Sequence, residues 1–207
     1  MSNHLSLILL AAGKSSRMGD ANKLLLPINN DPILKTVLSQ ISKISIDQKI
    51  IVTGFQAEKI KPLIDKSIFE IIHNPNFEEG MTSSIQAGIS ALSKNSIGVM
   101  IIPADLPNLD SKILTKLVDV FLENYLKNAK TIVASTENGV QKNPVIFSSY
   151  YYSEILAHKN KNGCKEIIES HLKNVTSVEI SSKDFFQDID TPADYKKIVD
   201  ETTERNS

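Results

Sequence analysis

The chain has 207 residues, of which 41% are hydrophobic and 23% charged, enough apolar material for one buried core and too much for a disordered, collagenous or coiled-coil chain. Lysine and arginine number 23 against 24 acidic residues, a net charge of −1, which argues against a general nucleic-acid binder. There is no apolar run of membrane-spanning length, no basic and apolar leader after Met1, and one cysteine, Cys164; the expectation is a soluble protein of the reducing cytoplasm with no membrane partner.

Strand-length apolar runs alternate with helix-period segments. Residues 5–11 form a nearly continuous apolar run, the pattern of a strand buried on both faces, and a glycine-bearing loop follows to about Asn22. Residues 32–44 place Ile33, Val37, Ile41 and Ile44 on one helical face, with Asp31 as the expected cap and Pro32 in the first turn. Strands are expected at 49–53 and 69–73, with a short helix at 57–64 between them. After a loop at 74–80 comes a helix at 81–92, capped by Thr82 or Ser83. A strand at 98–103 precedes a helix at about 112–126 capped by Asp110. Short strands at 131–134 and 144–147, helices near 150–157 and 163–172, and a strand at 175–180 complete the alternation. Thr191 caps a last helix to about Val199, and the polar tail beyond Glu201 is expected to fray. This order predicts an α/β fold, a mostly parallel mixed sheet with helices on both faces, in one domain over residues 1–200 with a tail at 201–207. In such sheets ligands gather beyond the carboxyl ends of the strands.

The segment Leu10-Ala-Ala-Gly-Lys-Ser-Ser-Arg-Met-Gly-Asp-Ala-Asn-Lys23 stands at such an end. It fits neither the P-loop spacing nor the dinucleotide fingerprint. Ala11, Ala12 and Gly13 allow close approach to the backbone, and Gly13 and Gly19 permit positive φ, so that amide N–H groups can converge on an anion. Ser15 and Ser16 add hydroxyl donors, and Arg17 and Lys23 fixed charge. Only two arginines occur, Arg17 and Arg205, so the planar two-pronged donor sits in this loop by exception. The alternative is an ordinary strand-to-helix turn with solvated charges. Asp105 follows the 98–103 strand, where a carboxylate can bind Mg²⁺, a hard cation that takes oxygen ligands; Asp110 serves the helix cap. Asp188 and Asp190 point to one side of an extended stretch, where a cation would relieve their repulsion. Helix capping is the alternative for both, and the stronger reading for Asp188. Gly80, Ser83 and Ser84 lie at a helix start whose amides and hydroxyls can bind an anion or the polar edge of a base.

Leu-Ala-Ala-Gly-x-Ser-x-Arg-Met-Gly-x-x-x-Lys resembles the signature loop of nucleotidyltransferases that activate sugars, alcohols or cofactors with a nucleoside triphosphate. The resemblance implies a Rossmann-like three-layer α/β/α fold whose loop wraps the triphosphate. Arg17 and Lys23 would then hold phosphate oxygens, and Leu10, Ala11, Ala12 and Gly13 would lie near base and ribose. Asp105-Leu-Pro107 resembles the family's Asp-x-Pro metal motif, and Asp188-Ile-Asp-Thr-Pro192 its closing motif, which implies Mg²⁺ between Asp105 and Asp190. The pattern Asn74-Pro-x4-Gly80-Met-x-x-Ser84-Ile-x-x-Gly88 is similar to the molybdenum cofactor cytidylyltransferases of the MobA-like family. That resemblance, spanning residues 5 to about 198, implies CTP as donor and molybdopterin as acceptor, with a client molybdoenzyme or its chaperone as a transient partner. The acceptor side departs from those relatives: Lys142-Asn-Pro144 replaces Gly-His-Pro, and Asn160-Lys-Asn-Gly-Cys-Lys165 replaces Gly-Asp-x-Gly-Ala-Arg. Asn143, Gly163 and Lys165 are the expected acceptor contacts. Two other readings stay open, a nucleotidyltransferase for sugar or polyol phosphates and a non-catalytic binding module that delivers nucleotide or pterin. His4, His73, His158 and His171 share no ligand spacing, and Cys164 is expected to be an inert thiol.

Overall fold

The computed structural model describes residues 4–19, 21–182 and 184–205; the first three residues and the last two of the expected tail lie outside it. Seven strands form one sheet in the order β5-β4-β1-β6-β8-β7-β9. They are β1 (His4–Ala11), β4 (Gln48–Thr53), β5 (Glu70–His73), β6 (Ser96–Pro103), β7 (Ile132–Glu137), β8 (Val140–Ser148) and β9 (Val175–Glu179). Strands β5, β4, β1 and β6 are mutually parallel, and β9 is parallel to β7; β8 alone runs against its neighbours. The expected mostly parallel mixed sheet is what forms.

Period-two alternation along β1 explains the layering. Leu5, Leu7, Leu9 and Ala11 face one side, where they meet α1 (Ile33–Ser42), α2 (Ala57–Ile60), α4 (Ser111–Tyr125) and α7 (Pro192–Arg205). Ile8 and Ala12 face the other, packing with Ile85 and Ile89 of α3 (Met81–Ser90), Ile155 of α5 (Tyr152–Ala157) and Ile167 and Ile168 of α6 (Lys165–Ser170). Helices therefore cover both faces. Each fully buried Leu or Ile contributes roughly 1.5–3 kcal/mol by leaving water.

Three local readings are corrected. Asp31 does not cap α1: it belongs to a two-residue strand, β3 (Asp31–Pro32), paired with β2 (Pro27–Ile28) around Asn29 and Asn30. Both asparagines take positive φ, 52° and 69°, the hairpin conformation that asparagine tolerates. The strand expected at 144–147 is longer, because Asn138 and Gly139 make a tight turn that folds β8 back along β7. The last helix does not stop at Val199 but runs through Arg205, with the Thr202 and Thr203 hydroxyls donating to the carbonyls of Ile198 and Val199. Caps at Asp110 and Thr191 are as expected: Asp110 accepts from Lys112 N at 2.7 Å, and Thr191 Oγ1 accepts from Asp194 N at 3.2 Å.

Candidate active site

Strands β1 and β6 are adjacent and parallel, so the segments that follow them emerge at one end of the sheet. Ala104 N donates to Leu10 O at 3.0 Å and ties those two exits together. The loop after β1 is built on Ser15, which takes the left-handed conformation at φ 53°. Its carbonyl accepts from Met18 N at 2.8 Å, and its hydroxyl accepts from Lys23 N at 3.2 Å. Gly19 has φ 68°, but Gly13 does not take positive φ, and a Cβ there would stand in open space beside the cavity it lines. Asn22, buried, accepts from Leu24 N at 3.1 Å and starts the single turn that presents Lys23.

The Lys23 ammonium lies between two carboxylates, 2.5 Å from Asp105 and 2.9 Å from Asp190. Arg17 pairs with the other oxygen of Asp190 at 2.5 Å. Burial works to lower the Lys23 pKa, yet attraction to Asp105 and hydrogen bonds to both acids outweigh it and hold the ammonium above its ordinary value. Burial likewise opposes ionisation of Asp190, and its bonds to Lys23 and Arg17 prevail, leaving it below the usual carboxylate range. Asp188 goes the other way: burial first, then the charges of Asp190 and Asp105, push it up. Ile189 N donates to Asp105 O at 3.2 Å and sets Asp190 opposite Asp105. The helix-capping alternative for Asp190 is excluded by Thr191 and Asp194, which form the cap between them.

Two cavities share this acidic seam. The first, about 340 Å³, is lined by Leu10, Ala12, Gly13, Ser15, Ser16, Arg17, Lys23, Gly80 and Ser84, with Phe77 as an aromatic wall absent from the sequence reading. The second, about 440 Å³, has an apolar floor that includes Ile101, Val145, Phe147 and Ile168. Around it stand Lys142, Asn143, Gly163, Lys165 and Asp188. Leu10, Met81, Pro103, Asp105 and Asp190 border both. Asn143 and Pro144 are two residues of β8 unmatched on β7, a bulge that leaves Asn143 at the cavity.

Two expected contacts fall elsewhere. Ala11 is buried in the opposite helix layer, because strand alternation turns it away from the cavity that Leu10 and Ala12 line. The Ser83 hydroxyl is used internally, 2.9 Å from the carbonyls of Asn76 and Gly80 and 2.9 Å from Asn74 Nδ2. Neither Thr82 nor Ser83 caps α3, which starts after Gly80 at φ 109°. Asn74, also missed, is buried and holds the Ser84 hydroxyl at 3.0 Å. Cys164 lines the second cavity, and burial pushes its thiol up to about 12, in keeping with an inert thiol.

The donor set fits a hard divalent cation. Asp105 and Asp190 converge on one point, and two carboxylates plus substrate phosphates and water are the usual ligands of Mg²⁺. Among the described residues no group of three His, Cys, Asp or Glu side chains forms a closed metal cage, and no helix is long and apolar enough to cross a membrane.

A Rossmann-like sheet with a glycine- and serine-bearing basic loop after its first strand, facing paired acids across an open cavity, defines the nucleotidyltransferase class. Residues 7–175 match the MobA-like NTP transferase domain, and the chain belongs to that family of nucleotidyltransferases. It is 26% identical over 198 residues to the molybdenum cofactor cytidylyltransferase of Escherichia coli K12, covering 95% of this chain and 96% of that one. With the molybdenum cofactor guanylyltransferase of Yersinia pestis it shares 25% over 201 residues, 94% of each. The crystal structure of Rv0371c from Mycobacterium tuberculosis superimposes with a TM-score of 0.83 at 20% identity, covering 97% of this chain and all of the other. A structure of Rv0371C in complex with manganese gives 0.75 at 19% identity, over 95% of this chain and 98% of that one.

Proposed function

We propose that the protein is a Mg²⁺-dependent nucleotidyltransferase that moves CMP from CTP onto the terminal phosphate of molybdopterin and releases pyrophosphate. The observation that carries this reading is the meeting of two cavities at Asp105 and Asp190, one framed by phosphate-binding groups and one by an apolar floor with a polar rim. An anionic chain in the first and a flat acceptor in the second would bring their phosphates together at that seam. The cytidylyltransferase relative, matched over nearly its whole length, supports this choice of donor and acceptor. On this reading residues 1–200 are one transferase domain, and the product passes to a client molybdoenzyme or its chaperone in the cytoplasm.

An acceptor phosphate oxygen attacks the α-phosphorus in line; a new P–O bond forms as the bond to the β-phosphate oxygen breaks, and pyrophosphate leaves with the electron pair. The nucleophile is already anionic, so no strong general base is needed. Alignment and charge neutralisation supply the rate. Ser15, Ser16 and the amides near Gly13 seat the triphosphate, with Gly80 and Ser84 on the nucleoside side. Arg17 and Lys23 turn from their carboxylate partners to the β- and γ-oxygens and stabilise the departing charge. Asn143, Gly163 and Lys165 orient the acceptor. Asp105 and Asp190 would hold Mg²⁺, which would supply Lewis-acid neutralisation of phosphate charge.

A panel of four nucleoside triphosphates against molybdopterin, a sugar phosphate and a polyol phosphate, scored for pyrophosphate with and without Mg²⁺, tests it. CTP with molybdopterin and Mg²⁺ is the expected productive set. Turnover confined to a sugar or polyol phosphate, or to GTP, would reassign the substrate. Tight nucleotide binding with no pyrophosphate from any pair would make the protein a delivery module.

A further inference from the structure

The segment that departs most from the cytidylyltransferase pattern, residues 160–165, is fastened to the helix that borders the nucleotide cavity. Thr82, 4% exposed, is the fastening. Its hydroxyl donates to the carbonyl of Asn160 in a short hydrogen bond and accepts from Gly163 N at 3.0 Å. Its own amide donates to Lys161 O at 3.4 Å. The contact is close on both sides: a Cβ on Gly80 would lie 2.6 Å from Lys161 O, and one on Gly163 would lie 3.1 Å from Met81 Sδ. One helical turn along the same face, Gln86 Nε2 reaches the carbonyls of Ile155, Leu156 and His158 at 2.9, 3.1 and 2.9 Å. Residues 155–163 are therefore fastened to α3 by side-chain hydrogen bonds at both ends.

The clasp stands between the two cavities. Gly80 and Ser84 line the first, Met81 borders both, and Asn162, Gly163, Cys164 and Lys165 line the second. We propose that Thr82 is a positioning residue that sets the acceptor wall from the nucleotide side, so that nucleotide seated against the start of α3 also orders residues 160–165. A threonine hydroxyl is suited to this because it serves as donor and acceptor at once. The inference rests on the two-substrate reading above, and it adds a direct mechanical link between the two sites.

Hydrogen exchange of the full chain, followed by mass spectrometry with and without CTP and Mg²⁺, tests it on the native protein, T82V and T82S. Valine keeps the volume and removes the hydroxyl; serine keeps the hydroxyl. Without nucleotide, amides of residues 161–165 are expected to exchange ~10-fold faster in T82V, the size of one lost hydrogen bond, and within about two-fold of native in T82S. CTP with Mg²⁺ should slow these amides in the native protein and T82S but not in T82V. In turnover with molybdopterin, T82V should raise the acceptor KM ~10-fold while the KM for CTP stays within about two-fold. Unchanged exchange at 161–165 in T82V, equal loosening in T82S, or nucleotide protection that stops at the first cavity in the native chain would each overturn the proposal. The last comparison needs no variant, so it stands even if T82V fails to fold. If CTP with Mg²⁺ protects nothing within residues 10–24, the nucleotide reading fails instead, and the comparison without nucleotide decides the role of Thr82.

Discussion

Replacing Lys23 by methionine keeps the aliphatic stem and removes the ammonium shared by Asp105 and Asp190. Lys23 and Asp105 side chains are 13% and 20% exposed, close to the buried limit, where loss of one partner costs about 3–5 kcal/mol. Asp190 is 41% exposed and keeps Arg17, so its share is nearer the surface limit of about 0.2–1 kcal/mol. Discounting for this solvent access, K23M should lose about 2–4 kcal/mol, a large part of the ~5–15 kcal/mol that holds a domain folded. Urea unfolding at neutral pH, with the slope checked for constancy, reads the loss from the midpoint. The sign of the Mg²⁺ effect is the sharper test. In the native chain a cation must displace the ammonium, whereas in K23M it meets Asp105 unpaired and Asp190 held only by Arg17. Mg²⁺ at one hundred times its dissociation constant would return about 2.7 kcal/mol to K23M and distinctly less to the native protein. A K23M midpoint within about 1 kcal/mol of native, or equal Mg²⁺ shifts in the two proteins, would refute the convergence of Asp105 and Asp190 on one cation.

The Arg17–Asp190 pair is exposed, so R17A should change stability by less than about 1 kcal/mol while lowering kcat ~100-fold, equivalent to about 2.7 kcal/mol of transition-state stabilisation. Normal turnover by R17A would remove it from the pyrophosphate site. Glu179 accepts from Thr136 Oγ1 and from the amides of Asn138 and Gly139, and the Thr136 bond first among these holds it below the ordinary carboxylate value. Its contribution is present above pH 4.5, the unfolded value, and disappears as pH falls through the lower folded one. E179Q should therefore lower Tm at neutral pH and flatten the acid limb, the two proteins converging in strong acid; parallel curves would count against the hairpin clamp. Cys164 is buried with its thiol pushed up to about 12, so iodoacetamide at mildly alkaline pH should label it only after urea is added, and prompt labelling of the folded chain would contradict that burial.

Much of this was legible in one sequence because the informative segments are local. The apolar run of β1, the caps at Asp110 and Thr191, and the basic loop with Arg17 follow from patterns a few residues long. The loop's pairing with Asp105 and Asp190 came from motif resemblance, and Lys23 lies between the two acids. What failed depended on direction and competition. Ala11 sits in the motif but on the wrong face, and strict alternation from Leu9 would have said so. Asp31 had the chemistry of a cap, but Asn29 and Asn30 took it into a hairpin first. The same turn chemistry at Asn138-Gly139 marked the longer β8, and it went unread because the polar residues Gln141, Lys142 and Asn143 conceal the strand. Thr82 and Ser83 both suited a helix start, and only the remote loops at 160–163 and 74–76 decide what their hydroxyls bond.

The reversed strand β8 has a consequence for how such a site can diversify. Its opening residues Gln141 and Lys142 reach the ligand end of the sheet, where a parallel strand would bring its trailing loop. That wall of the second cavity is therefore anchored in backbone pairing just before the bulge at Asn143 and has little freedom in length. New acceptors would be accommodated there by exchanging side chains on a stiff ribbon, while insertions and deletions are left to the neighbouring stretch at 158–164.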